Sequence, residues 1–103
     1  MQTLTPFEFQ ARLRAGDQLL DVREAEELAL AALPGALHIP LRQLPQRVGE
    51  LNPQRPIAVL CHHGIRSEHA AAWLEQAGFS SVSHLGGGIE AWSLLLDPTV
   101  PRY

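Results

Sequence analysis

At 103 residues the chain has room for one domain, residues 1–103, able to bury roughly two thirds of the surface its unfolded form exposes. With 46% hydrophobic and 18% charged residues, it is not a disordered, fibrous or low-complexity protein. A formal net charge of -3 with 8 Lys and Arg provides no clustered basic surface, so neither nucleic acid nor an anionic membrane is expected as a partner.

The opening stretch, MQTLTPFEFQARLRAG, lacks the basic-then-apolar order of a secretory signal, and no apolar run is long enough to cross a bilayer. A soluble cytoplasmic protein is the expectation. Thr5, Pro6 and Glu8 start a helix that carries Phe9 and Leu13 on one side and ends near Gly16. QLLDV reads as a buried strand, and REAEELALAAL as a helix whose acidic first turn suits the positive end of the dipole. After the Pro34-Gly35 turn, ALHI is a short strand. LRQLPQRVGEL resumes helical spacing through Leu41, Leu44, Val48 and Leu51, with Pro45 dividing or kinking it. Asn52, Pro53 and Pro56 mark a loop before IAVL, an all-apolar run expected of a central strand covered on both faces. Ser67 to Ala77 forms a helix closed by Gly78, FSSVSHL a strand, GGG a tight turn, IEAWSLLL a last helix, and DPTVPRY an extended tail. Strands alternating with helices predict an α/β domain: a small open, mainly parallel sheet of four to five strands with helices on both faces. Ligands of such sheets sit beyond the carboxyl ends of the strands.

Cys61, the only cysteine, stands at that end of IAVL. It forms no internal disulfide, and a free thiol suits a reducing compartment. CHHGIR then wraps from a strand end to a helix start, where inward-facing amides and the helix dipole make a cradle for an anion and favour a thiolate nucleophile. Gly64 supplies the backbone freedom such a ring needs. Arg66 holds a substrate anion or braces the loop, and His62 and His63 gain charge below about pH 6.5, where they help bind an anionic donor or shuttle a proton. Cys61, His62, His63 and His69 lie close together, but adjacent residues rarely converge on one ion and no C-x-x-C is present. Neither a metal nor a cofactor is expected. His38 and His84 read as structural or exposed groups at strand ends, and Trp73 and Trp92 as core residues. Asp21, Arg23 and Glu24 read as helix-capping and mutually paired side chains.

Four segments, LLDVREAEEL, PGALHIPL, VLCHHGIRSEHAAAWLEQAGF and GGIEAW, resemble the rhodanese family in order and spacing, specifically its small single-domain sulfurtransferases. The resemblance implies that Cys61 takes a sulfane sulfur from thiosulfate, a polysulfide or a protein persulfide and passes it to a thiol or cyanide through a Cys61 persulfide. It also implies that the amides of His62, His63, Gly64, Ile65, Arg66 and Ser67 surround the carried sulfur. The interval from Cys61 to Arg66 is one residue shorter than in the related phosphatases and arsenate reductases, which makes those activities less favoured. A non-catalytic binding or sulfur-sensing module is the other alternative. Two departures stand out. Ala31, Ala32 and Leu33 replace the Gly-His-Ile common in the family, and histidines occupy loop positions where Arg or Lys commonly meets thiosulfate. Thiosulfate is accordingly expected to be a poor donor at neutral pH.

Overall fold

In the computed structural model, which describes residues 1–103, the first helix begins as its sequence dictates. The Thr5 hydroxyl accepts from the Glu8 amide while the Glu8 carboxylate accepts from the Thr5 amide, and Pro6 occupies the first turn of α1 (Pro6–Arg14). Next come β2 (Gln18–Asp21), α2 (Ala25–Leu30), β3 (Leu37–His38) and α3 (Leu44–Arg47), with β1 (Gln2–Leu4) preceding them all. The chain is completed by β4 (Ile57–Leu60), α4 (Ile65–Gln76), β5 (Val82–Leu85) and α5 (Gly88–Leu95). All strands are parallel, in one five-stranded sheet of order β1-β5-β4-β2-β3.

The predicted α/β architecture is thus present, with some boundaries moved. β1 adds an edge strand, paired with β5 from Gln2–Ser83 to Leu4–Leu85, that three exposed or half-buried residues do not announce in sequence. The helix expected over residues 23–33 is confined to Ala25–Leu30, because Arg23 is drawn into a buried pair with Asp21 and the chain is extended by Ala31. The segment over 41–51 is broken into 3₁₀ turns at Leu41–Gln43 and Val48–Glu50 flanking α3, with Pro45 in the first turn of α3, where its missing N–H costs nothing.

β4 is the middle of the sheet and its four residues are all buried. Its side chains alternate. Ile57, Val59 and Cys61 face a core with Leu44, Ala70, Ala71 and Leu74 of α3 and α4, while Ala58 and Leu60 face one with Phe9, Ile89 and Trp92 of α1 and α5. Trp73 is partly buried against the first of these cores. The chain leaves β2 toward one sheet edge and β4 toward the other, so the topology reverses between these neighbours and opens a crevice beyond their carboxyl ends. Cys61 follows β4 at that point, Asp21 ends β2, and Val22 to Glu24 follow it.

Candidate active site

The loop after β4 is shorter than the sequence suggests. Gly64 is the N-cap of α4 at φ +103°, so Ile65, Arg66 and Ser67 form the first helical turn rather than the end of a loop. This conformation brings amides onto the sulfur. The N–H groups of Gly64 and Ser67 donate to Cys61 Sγ at 3.1 and 3.2 Å. Both belong to the α4 N-terminus, whose free donors and dipole favour negative charge. Cys61 itself is 0% exposed, lying at the floor of a pocket of about 250 Å³ lined also by His62, His63, Ile65 and Arg66.

Glycines let this ring close. A Cβ on Gly64 would stand 2.2 Å from the Gly86 carbonyl oxygen, and one on Gly88 would stand 2.1 Å from that of His62. The GGG run therefore serves close backbone packing beneath the loop. It lets the Ile89 and Glu90 amides of α5 donate to the Cys61 and His62 carbonyls at 2.9 and 3.2 Å.

Arg66 lines the Cys61 pocket but makes no hydrogen bond to a loop carbonyl. It makes a two-pronged ion pair with Glu27 of α2, at 2.7 and 2.9 Å. The Arg66 guanidinium, helped by the Glu24 amide and opposed by burial, brings the Glu27 carboxyl down from 4.5 to about 2. Glu27 in turn accepts from the Tyr103 hydroxyl at 3.4 Å. Arg23, fully buried, binds both Asp21 oxygens, the Ala31 carbonyl and the Tyr103 hydroxyl. Glu24 contributes its amide to Glu27 and its carboxylate to Arg42, so this acidic turn pairs and caps as expected.

His62 is half-buried, its ring stacked at 3.8 Å on Tyr103 and on His63 alike. Burial first, and the His63 charge second, push its pKa down. The expectation that His62 gains charge below about pH 6.5 is corrected accordingly, since its protonation needs a lower pH than an open imidazole's. His63 is exposed and His69 lies exposed on α4.

His84 is not at a strand end but inside β5, buried, between Ser67 Oγ (2.9 Å from Nδ1) and Thr3 Oγ1 (3.0 Å from Nε2). Because the Ser67 hydroxyl donates to the Gly64 carbonyl, the network assigns the proton to His84 Nδ1 and leaves Nε2 to accept from Thr3. Burial lowers the His84 pKa and keeps this neutral form. A relay, buried at Ser67 and His84 and open at Thr3, thus ties β1 and β5 to the residue whose amide holds the sulfur. His38 caps β3 differently, with Nε2 at 2.6 Å from the Arg23 carbonyl. Glu27, His84, Glu90 and Tyr103 are the neighbours that sequence reading did not place here. Glu27 and Glu90 stood in the segments LLDVREAEEL and GGIEAW, but neither was read as a neighbour of the Cys61 loop.

Comparison with known proteins adds an independent finding. A model of the rhodanese-like domain matches residues 5–95. The Arabidopsis thaliana rhodanese-like/PpiC domain-containing protein 12, chloroplastic, is 47% identical over 90 residues, covering 84% of this chain and 30% of that protein. The putative sulfur carrier protein YrkF of Bacillus subtilis is 43% identical, over 73% of this chain and 40% of its own length. This chain therefore spans less than half of either relative. The thiosulfate sulfurtransferase GlpE of Stutzerimonas stutzeri is 34% identical, over 86% of this chain and 82% of that one. Among solved structures, a rhodanese-related protein from Thermoplasma volcanium superposes with a TM-score of 0.87 at 28% identity, covering 100% of both chains. No helix here is long and apolar enough to cross a membrane.

Proposed function

The chain belongs to the rhodanese family, and from that premise we propose that it is a sulfurtransferase working through Cys61. The Cys61 thiolate attacks the outer, sulfane sulfur of a donor. The new S–S bond forms as the donor's own S–S bond breaks, with sulfite leaving from thiosulfate or a thiolate leaving from a persulfide or polysulfide. An acceptor thiolate or cyanide then attacks the carried sulfur and releases Cys61 as thiolate, so electrons balance with no external oxidant. The observation that carries this reading is the pair of amides, from Gly64 and Ser67, directed at Sγ. They stabilise the thiolate both as nucleophile and as leaving group. By extension, the amides of His62, His63, Ile65 and Arg66 are assigned to the cradle of the carried sulfur.

The donor is inferred to be a persulfide or polysulfide rather than thiosulfate. Arg66 is neutralised by Glu27, and burial disfavours charge on His62. The pocket thus offers a sulfonate little fixed positive charge. The supporting observation for a rival, a binding or sulfur-sensing module, is the complete burial of Cys61. Mass spectrometry of the intact protein after incubation with thiosulfate or polysulfide distinguishes the two. Sulfur transfer requires a gain of one sulfur atom on the wild type and none on Cys61→Ala, followed by its loss to an added thiol. A chain that takes up sulfur from no donor is the binding module.

A further inference from the structure

We propose that His62, His63 and Glu90 form a divalent-cation site of the zinc class at the mouth of the Cys61 pocket. The fold, rather than the local sequence, brings them together. Glu90 lies in the first turn of α5, and that turn is fastened to the loop by the Ile89 and Glu90 amides and by the absence of a Cβ at Gly88. As a result the ligating atoms of His62, His63 and Glu90 all lie within 4.8 Å of one another.

His62 and Glu90 are also presented in a way that suits a ligand. His62 Nε2 is buried and has no hydrogen-bond partner, an arrangement that normally costs free energy and that a cation would relieve. Its ring is held flat between Tyr103 and His63. Glu90 Oε1 accepts from Arg102 Nε at 2.6 Å, leaving Oε2 directed toward His62 Nε2 at 3.9 Å. A carboxylate steadied on one oxygen and offered on the other is the outer support metal ligands commonly receive. The His63 ring stacks on His62 with the planes 24° apart, which keeps the two imidazoles together but directs their in-plane lone pairs alongside one another, so coordination requires His63 to turn off that stack.

Two imidazole nitrogens and one carboxylate oxygen select zinc and similar borderline ions over calcium or magnesium, which take oxygen ligands. Tetrahedral zinc, with bonds of about 2.0–2.2 Å, needs its ligand atoms about 3.4 Å apart. The cluster must therefore tighten, the exposed His63 side chain by rotating off the stack and Glu90 Oε2, 3.9 Å from His62 Nε2, by about half an ångström. Three protein ligands leave one position free. Because His62 and His63 line the same pocket as Cys61, a bound ion would also stand over the approach to the sulfur.

The test is titration of the full chain with zinc chloride against a chromophoric chelator, carried out on the wild type and on Cys61→Ser, His63→Ala, Glu90→Gln and His69→Ala, with melting curves to verify folding. The expected result is one zinc per chain in the wild type, Cys61→Ser and His69→Ala, and affinity at least about tenfold weaker in His63→Ala and Glu90→Gln. Zinc should also slow alkylation of Cys61 in the wild type, reversibly on adding EDTA, and not in Glu90→Gln. Absence of stoichiometric binding, binding indifferent to Glu90 and His63, or binding lost in Cys61→Ser would overturn the site. Because zinc affinity is read in Cys61→Ser, its failure is separate from any failure of sulfur transfer.

Discussion

Replacing Glu27 by Gln removes the charge that pairs Arg66 while keeping the shape of the side chain. The Glu27 carboxyl sits at about 2 instead of 4.5 because of the Arg66 guanidinium, and such a difference corresponds to roughly 3 kcal/mol of stabilisation at neutral pH if taken in full. The pair is partly solvated, with side-chain exposures of 32% for Arg66 and 20% for Glu27, so screening reduces the expected loss to about 1–2 kcal/mol. Direction follows from the depressed value. The stabilisation is complete above the unfolded-state pKa of 4.5 and disappears as pH falls toward about 2. Urea unfolding of wild type and Glu27→Gln at a series of pH values should therefore show curves separated at pH 7 and converging in strong acid. The same substitution releases the first turn of α4 and frees Arg66 for an anion, so the KM for thiosulfate should fall as stability falls. A stability difference that is absent at pH 7, or that persists unchanged into strong acid, would refute the assignment of Arg66 as a residue occupied by Glu27.

Gly64→Ala places a methyl group 2.2 Å from the Gly86 carbonyl oxygen at φ +103°, so unfolding experiments should show a loss of more than about 3 kcal/mol, with Cys61 alkylated faster in whatever folds. Arg23→Met strands the buried Asp21 carboxylate and should cost about 3–5 kcal/mol by the same measurement at pH 7. Ser67→Ala leaves His84 Nδ1 without its partner and should cost about 1–3 kcal/mol in urea unfolding while the sulfur still forms its persulfide, because the Ser67 amide remains. His63→Lys supplies permanent charge beside the pocket and should raise kcat/KM for thiosulfate roughly fivefold at pH 7 and low salt, with the gain shrinking in high salt. Since burial pushes the His62 pKa down, the gain in thiosulfate kcat/KM that His62 contributes on acidification should come below the ordinary histidine range, read from the pH profile of His63→Ala.

What the sequence disclosed was local. Apolar runs gave the central strand, Thr5-Pro6-Glu8 the first capping box, and the single thiol between a strand and a helix pointed to the candidate site. The start of α4 was misplaced because its cap is Gly64 in a left-handed conformation rather than a Ser, Thr or Asp side chain, and a glycine before a helix reads equally as loop. The partners of the loop were hidden for a different reason. Glu27 meets Arg66, and His84 meets Ser67, only because α2 and β5 follow and flank the sheet's centre in this strand order. The tail, expected to be extended, instead turns at Pro98–Thr99, where the Val100 amide donates to the Asp97 carbonyl at 3.1 Å, and that Tyr103 stacks on His62 and receives Arg23 depends on where this turn returns the chain.

These long-range pairings bear on how the sulfur would be activated. Arg66 is matched by Glu27, Arg23 by Asp21, and Glu90 by Arg102, so the side-chain charges around Cys61 largely cancel among themselves. What remains directed at Sγ is the Gly64 and Ser67 amides, dipoles that neither titrate nor move with rotamers. A cradle built from backbone is indifferent to the acid–base state of its neighbours but sensitive to any change that shifts the backbone. Its weak points are then the glycines that permit close packing and the Ser67–His84–Thr3 relay that holds the α4 start against the sheet. Substitution of a charged loop residue should chiefly change which donor is admitted, whereas a methyl group at Gly64 or Gly88 should lower the nucleophilicity of Cys61 toward every donor alike.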